Sequence, residues 1–355
     1  MTVNYSLDAA TASGWAVIAV IFLWRGSLLK LIWREMLGWT ILMAVLYCGY
    51  FYGLKGTGYE RYYTFMIDLT EDVPMDGTLM FLMSYMTINS LTRWSETFKC
   101  LGWPENVALL FKLYFNERAV PKPKRKLIKQ TVARYLTIFY ILLFRDVSID
   151  VRDMFPTLDD MISPGILTAD EVNLLKSSRL DRSSCHYWIP IDWIVTLVRT
   201  YYHPEYIQDA KGRKKRNHKE SIMTEVEYLK FIVEINKLRS RMGDVLSYDW
   251  VPLPLALFQA ITIFVYSTLV VNCFQMQARI ITSGKSGVSE MFVECLSTFP
   301  FSMLHLSFLR ISQVIINPFG RDDDDFEVPY LIDRHIKVLN EILCPDDGKQ
   351  TKNAK

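Results

Sequence analysis

The chain has 355 residues, half of them apolar and 14% aromatic, enough to fill a large core or a membrane bundle. Its 40 basic and 38 acidic residues leave a formal charge of +2, which excludes the basic excess of a nucleic-acid-binding chain. The six cysteines (Cys48, Cys100, Cys185, Cys273, Cys295, Cys344) include no Cys-x-x-Cys pair, so they predict small buried apolar residues rather than a zinc site or disulfide framework.

Near the start, Asp8 precedes an uncharged stretch, Ala12 to Trp24, and the first basic residue is Arg25. A secretory signal opens on positive charge, so this is not one. The stretch is also too short to cross a bilayer, and it predicts an interfacial or packed helix. Next come two runs of the required length: Met36 to Leu54 and Trp250 to Phe274, neither with a charge. A hydrocarbon core of about 30 Å needs roughly twenty residues at about 1.5 Å rise each. Two more candidates carry ionisable residues, Val73 to Thr92 with Asp76 and Met291 to Leu309 with Glu294 and His305. Such residues in a span face a bundle interior or a water-filled path. Tyr135 to Phe144 is apolar but bracketed by Arg134 and Arg145; it is too short to cross and predicts a buried helix of a soluble part.

These spans divide the chain into an N-terminal segment 1–35, spans 36–54, 73–92, 250–274 and 291–309, outer loops 55–72 and 275–290, a body 93–249, and a C-terminal segment 310–355. Of the 40 lysines and arginines, 36 fall on the side of the termini and body, and four (Lys55, Arg61, Arg279, Lys285) in the outer loops. Positive charge stays in the cytosol, so both termini and the body are expected there, and the plasma membrane is the expected location.

The body reads as mostly helical, with no sustained strand-like alternation. Thr168-Ala-Asp-Glu171 is a capping box that opens a helix, and Ile222, Val226, Leu229 and Val233 recur at helical spacing. The basic run Lys211 to Arg216 reads as a solvated mobile loop, and Pro121 to Lys126 as a turn or linker.

No enzyme constellation is present: no Gly-rich phosphate loop, no Gly-x-Ser-x-Gly, no His-Glu-x-x-His. The five histidines lie far apart and read as structural. The dense group of hard oxygen ligands is "INPFGRDDDDFE", Ile316 to Glu327. Calcium takes roughly six to eight oxygens at about 2.3–2.6 Å, from carboxylates and carbonyls alike. Asn317-Pro318 favours a turn, and Gly320 lets the backbone fold tightly. Four adjacent like charges repel, and a bound cation relieves that. The same run also reads as a plain solvated acidic loop.

The sequence resembles the bestrophins, a family of calcium-activated chloride channels. The likeness lies in "NPFGRDDDDFE" (Asn317 to Glu327), "WRGSLLKLIWRE" (Trp24 to Glu35), "TRWSE" (Thr92 to Glu96), "LLFRDVS" (Leu142 to Ser148), "RDMFPTLD" (Arg152 to Asp159), "YWIPIDW" (Tyr187 to Trp193), "YDWVPLPL" (Tyr248 to Leu255) and "LIDRHIKV" (Leu331 to Val338). The resemblance implies an all-α membrane protein, four spans and a helical cytosolic body per subunit, assembled as a homopentamer around a central pore. It makes the acidic loop a calcium clasp. Carried over by position, the ligands are the side chains of Asp322 and Asp325, oxygen from Asn317, and backbone carbonyls of Val314 and Ala10. The expected partners are further copies of the chain, chloride and other small anions, and membrane lipids, with no nucleic acid. The family's apolar neck falls on Gly77, Phe81 and Tyr85, whose i, i+4, i+8 spacing shares one helix face and whose fivefold ring can gate by dewetting. The family usually has Ile and two Phe there, so Gly77 and Tyr85, beside Asp76, imply a wider, wetter or less anion-favouring neck. A non-conducting calcium-binding scaffold or accessory subunit is the alternative expectation.

Overall fold

The computed structural model describes residues 5, 10–11, 14–71, 76–178, 185–208, 212–217, 219–282 and 288–345. A short helix α1 (Trp15–Ile21) leaves Ile18, Ile21, Phe22 and Trp24 exposed, an apolar surface suited to an interface. Helix α2 (Leu28–Cys48) opens on Ser27, whose Oγ accepts from the Lys30 amide at 3.1 Å, an N-cap that satisfies one orphan donor. It runs into a π turn, Gly49–Leu54. The sequence placed its start at Met36 because Lys30, Arg34 and Glu35 interrupt the uncharged run. The helix tolerates them because Glu35 pairs with Arg310.

Helix α3 (Glu60–Glu71) occupies much of the expected outer loop and is tied to the bundle by Gln275 Nε2, which donates to Thr70 O at 2.8 Å. Helix α4 (Asp76–Cys100) runs straight past Arg93, without a break where the span was expected to end. Then follow α5 (Glu105–Tyr114), α6 (Lys122–Val147), α7 (Ile149–Met154), α8 (Ala169–Ser177) and α9 (Ile189–Tyr201). An antiparallel hairpin, β1 (Tyr206–Gln208) with β2 (Lys214–Arg216), pairs Ile207 with Lys215. Helices α10 (Glu225–Trp250), α11 (Leu255–Thr282), α12 (Val288–Val314) and α13 (Val328–Leu343) complete the chain.

Two apolar cores result. One gathers Ile32, Met36, Trp39 and Met43 of α2, Leu79, Met83 and Met86 of α4, Ile261, Val265 and Leu269 of α11, and Leu306 and Leu309 of α12. The other fills the helical body around α6, α9, α10 and α13. Among the described residues, four helices are long and apolar enough to cross a membrane: α2 with its π turn, α6, α11 and α12. Helix α6 is a different case, because 61% of its apolar window is buried inside the protein against 22–33% in the other three. Ile138 to Phe144 are all buried there, and a helix that is apolar all round belongs to a core. The stretch Tyr135 to Phe144 is thus the body helix that its flanking arginines predict. Helix α4 takes the fourth place in the bundle, and the chain is an all-α membrane protein with a helical body.

Several local expectations are corrected. Pro121 to Lys126 is the N-cap and first turn of α6, where the missing amide of Pro123 costs nothing. Residues 214–216 of the basic run form strand β2, although they are exposed as a solvated loop would be. Three-residue strands are too short to leave an alternation in the sequence. Of the stripe Ile222, Val226, Leu229 and Val233, Ile222 is buried and the other three lie exposed on α10, whose inward face is Phe231, Ile235, Leu238 and Met242. Cys273 is buried, but Cys48 is exposed and Cys100, Cys185, Cys295 and Cys344 lie between; their apolar character does not rank them by depth.

The capping box forms as expected: Thr168 Oγ1 accepts from the Glu171 amide at 3.3 Å, and Glu171 Oε2 from the Thr168 amide at 2.9 Å. Glu171 does a second job, because Arg134 of α6 grips it with two guanidinium bonds of 2.6 and 2.7 Å. The pair fixes α8 against α6 at the edge of the core, and Arg134 also donates to Ile166 O. Removing one partner of a buried pair strands the other. Replacing Glu171 with Ala is expected to cost about 2–4 kcal/mol, discounted toward the lower end because Arg134 is partly exposed. Thermal unfolding of the detergent-solubilised protein measures it, and an unchanged Tm removes this role.

Candidate metal centre

The acidic loop follows directly on α12, whose last residue is the half-buried Val314. A helix ends with carbonyls that lack intrahelical partners, which makes the Val314 position a source of backbone oxygen. The loop then turns at Asn317-Pro318. Asn317 Oδ1 accepts from the Phe319 amide at 3.4 Å, and the turn closes where the Phe326 amide donates to Pro318 O at 2.8 Å. Phe319 and Phe326 are buried and meet edge to face with centroids 5.7 Å apart. The two rings pin both ends of the acidic run to the body core.

Between the rings the four aspartates take different directions. Asp325 turns inward and is 6% exposed. Its Oδ2 accepts from the Asp322 amide at 2.7 Å, while the Asp325 amide donates to Asp322 O at 3.1 Å. Among the described residues no hydrogen-bond donor reaches its other oxygen, Oδ1. Burial pushes this carboxyl up to about 6, and neighbouring Asp322, Asp324 and Asp150 push the same way against the Asp322 amide. Asp323 turns outward to α2: its Oδ2 accepts from the Gly26 amide at 2.9 Å and pairs with Lys30. The Lys30 and Gly26 bonds hold its carboxyl below the ordinary range. Asp324 is raised by burial and by Asp323 and Asp322. Asp322 projects an exposed side chain and lends its backbone to Asp325.

Gly320 completes the cradle. A Cβ built there would lie 2.7 Å from Asp325 Oδ2, and 3.6 and 3.7 Å from Asn317 O and Nδ2. Only a residue without a side chain lets these groups converge. Next to it, Arg321 reaches away, donating to Asp150 Oδ1 at 2.8 Å and pairing with Asp153 on α7. Two carboxylates that would otherwise swell the negative field are thereby neutralised.

Of the five expected ligands, Asn317 and the Asp325 carboxylate approach one another around Gly320, Val314 ends the preceding helix, and Asp322 meets Asp325 through its backbone while its side chain is exposed. Ala10 is exposed, and among the described residues Arg25, Gly26 and Lys30 meet the loop. Among the described residues, no three His, Cys, Asp or Glu side chains gather as a metal-binding group, so a cation here would depend on carbonyls as well as carboxylates. The donor set suits a hard cation on one specific ground: a buried carboxylate oxygen without a partner is costly, and a cation supplies the missing partner. The anchoring residues Gly26, Lys30, Arg321, Phe319 and Phe326 were not singled out from the sequence. The signal for the first two lay in the quoted stretch Trp24 to Glu35, but nothing local paired it with a segment some 300 residues on.

The expected neck residues lie on α4. Phe81 and Tyr85 are 70% and 51% exposed, and Ile88 on the same face is 64% exposed. The opposite face, with Leu79, Met83, Met86 and Ser90, is buried. Gly77 is in the first turn of the helix, and its surroundings, with those of Asp76, lie outside the described residues.

Fold and loop define an integral membrane protein in which an acidic turn is seated where a bundle of apolar helices meets a helical body. The chain belongs to the bestrophin family: the family described as "Bestrophin, RFP-TM, chloride channel" matches residues 1–345. It is 30% identical over 358 residues to human Bestrophin-3, covering 98% of this chain and 48% of that protein. Against Bestrophin homolog 24 of Caenorhabditis elegans, identity is 26%, covering 98% and 51%. The chain thus spans about half the length of these curated relatives. A crystal structure of a mutant bacterial bestrophin homolog from Klebsiella pneumoniae superposes with a TM-score of 0.60 at 13% identity, covering 88% of this chain and 98% of the other; at that identity the match speaks for the fold alone.

Two outcomes are expected at the cradle. Were calcium seated in this cradle, Gly320→Ala would weaken its binding about tenfold or more in calorimetry, since the added carbon overlaps Asp325 Oδ2; unaltered binding would remove Gly320 from the site. A metal there would also compete with the proton of the Asp325 carboxyl, which burial pushes up to about 6. Between pH 7 and pH 5 the apparent calcium affinity should therefore fall about tenfold. The sign for the metal-free fold is opposite: a raised carboxyl pKa means the folded state takes up protons as pH drops through about 6, so that loop gains stability as it acidifies.

Proposed function

We propose that this chain is the subunit of a calcium-activated anion channel, five copies surrounding a pore lined by the bare face of α4. The observation that carries this reading is the division of α4 into a buried face and an apolar exposed one. Phe81, Tyr85 and Ile88 lie on a helix whose other side packs in the bundle core. A contiguous apolar face left open by a folded chain marks an interaction surface or a conduit. A ring of such faces makes a narrow apolar neck that dewets when tight and wets when wider.

The proposed topology takes α2, α4, α11 and α12 across the membrane, with both termini and the body in the cytosol. The asymmetry of lysine and arginine supports this orientation, and the plasma membrane is the proposed location. At the cytosolic end of α12, Asp325, Asp322, Asn317 and the Val314 carbonyl would hold calcium, with Ala10 of the N-terminal segment as a further carbonyl. Calcium held there supplies positive charge that offsets the crowded carboxylates. The residues of the loop do the rest. Asp325 stays ionised in a buried position, Asp323 binds the start of α2, and Phe319 and Phe326 keep the turn against α4 and the body.

Purified protein in chloride-loaded liposomes tests both halves. Calcium-dependent chloride flux is expected from the unmodified chain. Asp322→Ala with Asp325→Ala should leave whatever flux remains indifferent to calcium, and retained calcium control would overturn the ligand assignment. No flux at saturating calcium would favour an accessory or scaffold role, to which Gly77, with no side chain at the neck, gives the sequence's support.

A further inference from the structure

The loop and the expected neck lie on opposite ends and opposite sides of one helix. Trp94 and Phe98, one turn apart on α4, both meet Phe326 of the acidic loop, with ring centroids 5.2 and 5.1 Å apart. Phe326 follows Asp325 directly, and its amide closes the turn on Pro318. The carboxylate that faces the cradle and the ring that faces α4 are therefore neighbouring side chains on one constrained backbone. The Trp94 indole N–H is buried with no hydrogen bond among the described residues, so packing alone holds this ring in place.

From Phe81 to Trp94 is about 20 Å along the axis, and at about 100° per residue Trp94 lies roughly 180–220° round the helix from Tyr85 and Phe81, and Phe98 roughly 220–260°. A grip there is on the back of the helix. Thr87, on that same side, is bonded to Ser312 of α12 through paired hydroxyls at 2.8 Å. Helix α4 has neither proline nor an irregular turn between residues 81 and 98, so a shift at its lower end is carried to its upper end rather than absorbed.

We infer that Phe326, Trp94 and Phe98 form an aromatic latch that transmits the state of the acidic loop to the neck face of α4. These are positioning residues: they act through the loop backbone and α4, not as ligands of the ion. The inference rests on the calcium-gated channel reading and names the route by which that gate is worked. Aromatic pairs of this geometry have interaction energies that correspond to shifts of roughly two- to tenfold in an equilibrium, and coupling between two sites must be reciprocal. A change at the neck must therefore be felt by calcium at the loop, and only while the latch is intact.

Calcium calorimetry on the full chain in nanodiscs reads this without recourse to conduction. Phe81→Ala, which removes an apolar ring from the neck face, is expected to tighten calcium binding about threefold. In a Phe326→Leu or Phe98→Leu background the same change should leave calcium affinity within error, with the number of ions bound unaltered. Phe98 is 44% exposed, so its variant keeps the test open should Phe326→Leu not assemble. A threefold shift that persists in the Phe98→Leu background, or no shift from Phe81→Ala at all, overturns the latch while calcium binding stands. Failure of the unmodified chain to bind calcium overturns the underlying gating reading instead.

Discussion

Helix α4 has one face buried against its own chain and one face bare, and the rest of the structure is arranged around that division. Leu79, Met83 and Met86 fill the bundle core, and Trp94 extends the packing into the body. Phe81, Tyr85 and Ile88 stay uncovered. Because the helix belongs to both cores, bundle and body cannot move independently along it. A continuous helix is stiff over this distance, and packed cores switch between arrangements rather than deform smoothly.

The acidic loop is the second fixed point, and its strength lies in the directions of its side chains. Asp323 is spent on Gly26 and Lys30, and Arg321 on Asp150 and Asp153. These contacts reach α2 on one side and α7 on the other. What remains is Asp325, buried with one oxygen satisfied by a backbone amide and the other open. Burial penalises its charge, and that penalty is what a bound cation would relieve. The contacts of Asp323 and Arg321 offset part of the surrounding charge, while Asp322 and Asp324 still push the Asp325 carboxyl up.

Much of this was legible in the residues. Uncharged runs of about twenty located α2 and α11, and the bracketing arginines identified Tyr135 to Phe144 as a body segment. The bounds were less accurate, since Lys30, Arg34 and Glu35 interrupt the pattern while the helix continues through them. Of the cradle, Asn317, Asp322 and Asp325 were marked by their position in the motif. The same rule could not separate Asp322, whose side chain is exposed, from Asp325, whose side chain is buried. Adjacent identical residues carry no local signal of which way each points.

What the sequence determined by itself was class, an integral membrane protein, from the lengths of its apolar segments, together with the one concentrated run of carboxylates. These depend on hydropathy and charge along the chain, which are local properties. Only the tertiary structure decided which aspartate faces inward, that Asp323 reaches the start of α2, and that Phe326 lies against Trp94 and Phe98. Those outcomes depend on contacts between segments more than two hundred residues apart in the chain, where packing, not periodicity, selects the partner.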